Sequence, residues 1–274
     1  MISKQIIQFF ELLRVALKSA RFTPLNRLTL ARHYATTETV QSLVTAFKYL
    51  TILGRWRETP SEPAGFGNAP LWFPLVGLVI GVILAAINYL LALQVDSGIL
   101  SVLIIALLIV ATGATPLAGT KITFDSMHPP ATAARVHGGE IFGLVAVLIV
   151  TLLKIHAIDI MDDKVAANIS LAPALARWAL VVLLYGYHDR CDEAMRPIAE
   201  NTKLWHLGVT TLCTLALATY LLGREGLWIG LALSLLALLS RSLLHRRHAI
   251  LTFNNLGAVT DVGEALTLVL MTVL

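Results

Sequence analysis

The last apolar stretch of the chain carries two acidic side chains, Asp261 and Glu264, three residues apart. In a helix this spacing puts both carboxylates on one face, where they could hold Mg²⁺, a cation that prefers oxygen ligands. They could equally pair with Lys154 and Arg177, which also lie inside apolar stretches. Polar groups at membrane depth are costly unless they are paired or hydrated. On residue types alone, we favour the pairing, which would hold the helices together.

A second group of candidates lies between two long apolar runs, in the stretch PLAGTKITFDSMHPPATAAR from Pro116 to Arg135. It combines Lys121, Asp125, prolines and a histidine, and we predict a loop there that holds or adjoins the active site. His128 and His137 lack the i, i+4 spacing of a metal-binding pair of histidines. We therefore interpret both histidines as ordinary loop residues.

These polar residues interrupt a very apolar chain. Of its 274 residues, 57% are hydrophobic and only 14% are charged, against roughly 25% charged in a soluble domain. The apolar residues come in runs of about 18 or more, the length needed to cross a hydrocarbon core of roughly 30 Å. We therefore predict an all-α, polytopic integral membrane bundle that contacts lipid and binds no nucleic acid.

Seven spans are predicted along the bundle. When the N-terminus is placed in the cytoplasm, most lysines and arginines fall in cytoplasmic connections, as the positive-inside rule requires. The loops 118–140, 188–203 and 245–255 would then share the cytoplasmic face and could converge on one site. The predicted spans lie at about residues 72–94, 98–117, 141–161, 169–187, 204–222, 226–244 and 256–274.

The first part of the chain differs from the rest. Residues 1–41 are basic, with apolar side chains at helical spacing, which indicates an extension that forms an amphipathic helix on a membrane surface. An organellar transit peptide is the alternative. Residues 42–53 are too short to span and predict an interfacial helix, and Trp56–Pro70 predicts an irregular loop. We expect a transmembrane domain over 42–274, in a bacterial inner membrane or, alternatively, an organellar inner membrane.

Four segments resemble the cobalamin-5′-phosphate synthase family in consistent order. Phe47–Gly81 is similar to the family's opening segment and first span, and Phe142–Ile155 to a later span that contains a lysine. Leu171–Tyr185 resembles the family's span with a Ser-Arg-Trp motif, and Thr252–Glu264 its final acidic motif. The resemblance covers about residues 45–274, and no single motif would be sufficient alone.

The resemblance implies an adenosylcobinamide-GDP ribazoletransferase, which transfers the cobinamide phosphate group of adenosylcobinamide-GDP to α-ribazole with release of GMP, using Mg²⁺. Such phosphoryl chemistry needs carboxylates that hold the metal and cations that neutralise charge. The implied site comprises catalytic Asp125, Arg135, Lys154 and Arg177, substrate-binding Lys121, Asn254 and Gly257, and metal-binding Asp125, Asp261 and Glu264.

The departures from the family pattern concentrate in the stretch from Pro116 to Arg135. Two of the family's three aspartate positions carry Ala118 and Ile122, and only Asp125 remains. A later family aspartate is replaced by Ala133, and another by Asn254. A catalytically inactive member that serves as a structural subunit of a membrane complex is therefore the alternative function. A small transporter or channel is a weaker third hypothesis, since no inverted repeat of discontinuous helices is visible in the sequence.

Overall fold

The computed structural model describes residues 39–54, 68–127, 138–247 and 249–274, and only the backbone of 138–140. The chain divides into two compact units, Met1–Gln41 and Ser42–Leu274, and the second holds nearly all described residues. The predictions for the N-terminal extension, for most of the Trp56–Pro70 loop and for residues 128–137, including Ala133 and Arg135, lie outside the described residues.

The described part of the second unit is built from helices, and an isolated bridge between Cys191 and Leu251 is its one β-type contact. Short 3₁₀ helices cover Ile52–Gly54 and His188–Arg190. The α-helices, in chain order, are α1 (39–50), α2 (Ala69–Leu91), α3 (Ser97–Ala111), α4 (Thr115–Met127), α5 (Gly138–Asp159), α6 (Val165–Leu184), α7 (Arg196–Asn201), α8 (Leu204–Leu222), α9 (Arg224–Arg246) and α10 (Phe253–Val273).

Six of these helices, α2, α5, α6, α8, α9 and α10, are long and apolar enough to cross a membrane. The bent pair α3 and α4 makes a seventh crossing if the two helices form one span. The prediction of an all-α integral membrane bundle with about seven spans is therefore confirmed.

The prediction of a loop at 118–140 is wrong for its first part, because α4 is helical to Met127. The predicted span 98–117 is also wrong, since α3 ends at Ala111 and α4 is bent away from it by 86°. The break is a Schellman cap: the amide of Ala114 donates to Ile109 O, and that of Gly113 to Val110 O. Gly113 and Ala114 have φ of 62° and 57°, and a proline in the first turn of α4 suits a helix start.

Contacts between connections show at which end of the bundle α4 ends. At one end, His206 Nε2 lies 3.0 Å from Asn68 Oδ1, which puts the starts of α2 and α8 side by side. Arg247 Nη1 donates to Met127 O at 2.7 Å, and Leu251 N donates to Arg190 O at 2.8 Å. The end of α4 therefore lies at the same end of the bundle as the segments 188–203 and 245–255. The predicted convergence of these segments with 118–140 requires this arrangement.

The central helix is α6, which is buried along most of its length. It packs closely on α2 because Gly77 and Gly81 form a small-xxx-small motif. A Cβ atom at Gly77 would lie 2.3 Å from Pro173 O, and one at Gly81 would lie 2.2 Å from Ser170 O. No larger residue fits at either position without separating the two backbones.

The end of α6 is held by an arginine from α9. Arg241 Nε donates to Leu183 O at 2.9 Å, and its Nη2 donates to Val182 O at 2.7 Å and also to Tyr185 O. The last carbonyl groups of a helix have no partner inside that helix. The guanidinium therefore supplies the donors that these carbonyls need in an apolar setting.

Candidate functional site

Four charged side chains meet in the interior of the bundle. Lys154 on α5, Arg177 on α6, and Asp261 and Glu264 on α10 are all at most 3% exposed. Lys154 Nζ lies 2.6 Å from Asp261 Oδ1 and 2.7 Å from Glu264 Oε2. Arg177 Nη1 lies 2.9 Å from Glu264 Oε1. The pairing that we favoured from residue types is therefore confirmed, and we call these four residues the buried quartet.

The fourth carboxylate oxygen of the buried quartet is satisfied by a hydroxyl. Thr120 Oγ1 on α4 donates to Asp261 Oδ2 at 2.7 Å, so each oxygen of Asp261 and Glu264 accepts a hydrogen bond. Two positive and two negative groups also cancel in formal charge. Burial of charged groups is tolerated only when they are paired and hydrogen-bonded in this way.

A close approach of two glycines lets α4 reach α10. A Cβ atom at Gly119 would lie 2.8 Å from the Cα of Gly257 and 2.5 Å from Asn254 O, and one at Gly257 would lie 2.8 Å from Thr115 O. Glycine at both positions brings Thr120 within hydrogen-bonding distance of Asp261. Gly257, which the resemblance assigned to substrate binding, is thus in backbone contact with α4.

Asp125 belongs to a separate cluster. Its Oδ2 lies 2.9 Å from Lys121 Nζ, one helical turn earlier on α4, and its Oδ1 accepts a hydrogen bond from the amide of Gly143 at 2.6 Å. Asp125 lies on the same face of α4 as Ala118 and Ile122, which are exposed, whereas Asp125 itself is half-buried against α5. The structure therefore divides the three predicted metal ligands between two clusters.

These carboxylates do not fit the Mg²⁺ that the resemblance implies. Among the described residues, no group of three His, Cys, Asp or Glu side chains is placed to hold a metal ion. Asp261 and Glu264 are saturated by the protein's own donors, and Asp125 already binds an ammonium and an amide. Mg²⁺ requires carboxylate oxygens that face the ion, so the described carboxylates do not support a metal-dependent step.

A cavity of about 730 Å³ lies beside Asn254, a predicted substrate residue. The site residues that sequence reasoning missed are Thr120 and, in this cavity, Thr123 and Asn255, because threonine and asparagine are common residues that give no signal by type. Near the entry to α10, Asn255 Oδ1 accepts from Thr252 N and Oγ1, and Asn255 Nδ2 donates to Thr123 Oγ1 at 3.2 Å. The cavity is lined by Ile122, Thr123, Phe124, Ser126, Met127, Leu183, Leu236, Ser240, Leu243, Leu244, Arg247, Ala249, Ile250, Thr252, Asn254, Asn255, Ala258, Val259 and Val262.

Comparison with known proteins gives a consistent result over the second unit. The profile of a family described as cobalamin-5-phosphate synthase matches residues 42–272. An adenosylcobinamide-GDP ribazoletransferase of Pseudomonas aeruginosa is 30% identical over 249 residues, which cover 85% of this chain and 98% of the relative. The protein of the same name from Geotalea daltonii is 27% identical over 215 residues, covering 74% of this chain and 85% of the relative. No solved structure matches the chain.

Proposed function

Because the chain belongs to the cobalamin-5-phosphate synthase family, we propose that it takes part in cobalamin biosynthesis from within a membrane. Two roles are compatible with the family, and each is supported by a different observation. The first role is enzymatic and is supported by the match. The second is structural and is supported by the geometry of the carboxylates.

The enzymatic role is the transfer of the cobinamide phosphate group of adenosylcobinamide-GDP to α-ribazole, with release of GMP. The similarity to proteins named for this reaction supports it, since one of them aligns over 98% of its own length. Retention of Asp125, Lys154 and Arg177 also agrees with it. Arg135 is retained in the sequence as well, so it stays among the proposed catalytic residues.

The residues of this chain are poorly arranged for that chemistry. Transfer between phosphate groups needs cations that neutralise the charge developing on phosphate oxygens. Lys154 and Arg177 are buried and engaged with Asp261 and Glu264. Lys121 lies 2.9 Å from Asp125, so binding a phosphate would set Lys121 between two anions. The described carboxylates also lack the arrangement of a metal site.

The structural role is that of a catalytically inactive family member that serves as a subunit of a membrane complex. The observation that carries it is the saturation of Asp261 and Glu264, whose four oxygens all accept hydrogen bonds. Groups arranged in this way stabilise helix packing, and a metal bound at these oxygens would have to displace or share the protein's own donors. We favour this role because Asp261 and Glu264 already pair with Lys154, Arg177 and Thr120, and a structural role requires no other arrangement of them.

One assay separates the two roles. The full chain, purified in lipid nanodiscs, would be given adenosylcobinamide-GDP, α-ribazole and Mg²⁺, and released GMP would be measured, with the Pseudomonas aeruginosa relative as positive control. GMP release that Asp125→Asn lowers would establish the enzymatic role. No release above background, together with a stoichiometric membrane protein that co-purifies from the native host, would establish the structural role.

We also propose that the chain lies in a bacterial inner membrane with its N-terminus in the cytoplasm, an organellar inner membrane being the alternative. Its similarity to bacterial proteins supports the bacterial location. The distribution of basic residues supports the orientation. Seven crossings put the N-terminus and Leu274 on opposite sides. Reporter fusions at the two ends test this, and reporters active on the same side would contradict it.

A further inference from the structure

A much smaller cavity, distinct from the one beside Asn254, adjoins the buried quartet at the break between α3 and α4. The helices α3, α4, α5 and α10 all contribute to its lining. Its volume is about 10 Å³, close to the roughly 10–15 Å³ that one buried water needs. The cavity is therefore too small for an organic ligand or a phosphate group.

Lys154 has a donor left over after it pairs within the buried quartet. An ammonium group carries three N–H donors, and Lys154 Nζ uses one on Asp261 Oδ1 at 2.6 Å and one on Glu264 Oε2 at 2.7 Å. No further acceptor for this nitrogen occurs among the described residues. Because Lys154 is 3% exposed and lines the cavity, its third N–H has to find an acceptor inside the bundle.

Two threonines line the same cavity. Thr151 lies one turn before Lys154 on α5, so the two side chains share a face of that helix. In the part of the chain that the structure describes, Thr151 Oγ1 makes no hydrogen bond. Thr112 follows the last residue of α3 and donates its hydroxyl to Leu108 O at 2.9 Å, which leaves its lone pairs as acceptors. The cavity thus combines one N–H donor with two hydroxyl groups.

A neighbouring cavity of the same volume, about 10 Å³, has a different lining. Glu264 lines both cavities, and the rest of the second lining is leucine, isoleucine, alanine and proline. Both oxygens of Glu264 already accept hydrogen bonds, from Lys154 and Arg177. Arg177 Nε, a buried N–H without a partner among the described residues, lines neither cavity. Since apolar cavities stay dry, only the first of the two has the polar groups that hold water.

We propose that one ordered water occupies the cavity at Lys154, accepts the third N–H of Lys154 and donates to the hydroxyl oxygens of Thr151 and Thr112. A buried water makes about three hydrogen bonds, which matches the groups present. The water links the end of α3 to the buried quartet, as Thr120 links α4 to Asp261. The site is independent of both proposed roles of the protein, because it requires neither a substrate nor a metal.

The test is a crystal structure of the full chain in lipidic cubic phase, at a resolution that shows ordered waters. We expect one peak within about 2.7–3.2 Å of Lys154 Nζ and of at least one of the two threonine oxygens. The apolar cavity is the control in the same map, because its volume is the same, and we expect no peak there. The proposal is overturned if other buried waters are visible and none lies at Lys154, or if both cavities hold equal peaks.

Replacing Thr151 by valine gives a second readout, in the sign of the change. With water bound, the variant removes one of its partners, and the unfolding temperature should fall by about 2–4 °C. In a dry cavity, the variant would remove a hydroxyl that has no partner, and the unfolding temperature would rise. Thr151→Ser keeps the hydroxyl and should keep the peak at Lys154.

Thr219→Val is the matched control for the valine variant. Thr219 is also half-buried, and its hydroxyl donates to Leu215 O within its own helix, so we expect a smaller shift than for Thr151→Val. An unfolding temperature of Thr151→Val that equals or exceeds that of the wild type contradicts the bound water. If Thr151→Val does not accumulate, the peak at Lys154 in the wild type decides.

Discussion

Thr120 Oγ1 on α4 donates to Asp261 Oδ2 on α10 at 2.7 Å, and both side chains are fully buried. This bond joins α4, the short helix that follows the break at Gly113, to α10, the last helix described. It also satisfies the one carboxylate oxygen of the buried quartet that Lys154 and Arg177 do not reach. The position of α4 therefore depends on the same ion-pair cluster that joins α5, α6 and α10.

Replacing Thr120 by valine tests this bond. The substitution keeps the shape of the side chain and leaves Asp261 Oδ2 without its donor, so we expect the free energy of unfolding to fall by about 1–3 kcal/mol. The measurement is thermal or denaturant unfolding of the purified protein. Thr267→Val is the matched control, because Thr267 is equally buried on α10 and bonds only Gly263 O in its own helix. Equal losses in the two variants would contradict the role given to Thr120.

Replacing Lys154 by methionine tests the buried quartet. Asp261 and Glu264 would then share the single remaining cation, Arg177, and leaving a buried charge uncompensated costs about 3–5 kcal/mol. The variant should unfold at a much lower temperature or fail to accumulate. Lys164→Met is the control: Lys164 is 49% exposed and its nitrogen lies 3.6 Å from Glu225 Oε2, so we expect a loss of about 0–1 kcal/mol. A tolerated Lys154→Met substitution would show that the carboxylates are neutralised in another way.

Replacing Gly81 by alanine tests the contact between α2 and α6. The new methyl group would lie 2.2 Å from Ser170 O, so the two backbones must separate, and overpacking of this kind costs about 1–3 kcal/mol. Gly208→Ala is the matched control, since a Cβ atom there meets nothing within 4 Å and the residue is also inside a helix. We expect Gly208→Ala to be neutral or to stabilise by up to about 1 kcal/mol. Thermal unfolding of the two variants, measured in parallel, checks the difference.

Cys191 should react with alkylating agents only at high pH. Burial, and then the negative charge of Asp192, raise the pKa of the Cys191 thiol to about 11. Because the thiolate is the nucleophile, alkylation at pH 8 should be about a hundredfold slower than for an ordinary cysteine. Folding favours the protonated thiol, so its contribution to stability is complete below about pH 9 and is lost as the pH rises through about 11.

The measurement is the rate of iodoacetamide labelling in a Cys213→Ser background, taken as a function of pH. The slope with pH is the diagnostic quantity, since slow access alone would lower the rate equally at every pH. The rate should keep rising about tenfold per pH unit well above pH 9. A plateau near pH 9 would show that the thiol has an ordinary pKa.

Divalent cations should neither bind to this protein nor change its unfolding temperature. With the carboxylates of Asp125, Asp261 and Glu264 held by internal donors, we expect the same unfolding temperature in millimolar Mg²⁺ and in EDTA, and no bound Mn²⁺ by electron paramagnetic resonance. The combined variant Ala118→Asp, Lys121→Ala and Ile122→Asp adds two carboxylates on the face of α4 that carries Asp125, which makes three along that face. That variant should gain Mn²⁺ binding, and tight Mn²⁺ binding by the wild type would contradict the saturation of its carboxylates.

Much of the architecture is predictable from the sequence, because membrane spans are recognised by length and apolar composition alone. The pairing of Lys154 and Arg177 with Asp261 and Glu264 is predictable for a related reason. Charged groups inside apolar helices need partners, and few such groups are available in this chain.

The break between α3 and α4 could not be predicted in the same way. The apolar run continues across Gly113, and a pattern of hydrophobicity does not report where a Schellman cap bends the chain by 86°. The helical state of α4 was missed because Pro116 and the polar residues after it resemble a loop in composition. Proline in the first turn of a helix is nevertheless favourable, so Gly113 followed by Pro116 was the signal available.

The sequence by itself determined that this chain is a multi-helical membrane protein of a recognisable family and that its buried charges must find partners. Only the tertiary structure decided that Asp125 stands apart with Lys121, that Thr120 completes the buried quartet, and that a cavity of about 730 Å³ lies beside Asn254. The physical reason is the range of the interactions. Burial and periodicity act along one helix, whereas hydrogen bonds and cavities join residues such as Thr120 and Asp261 that are far apart in the chain.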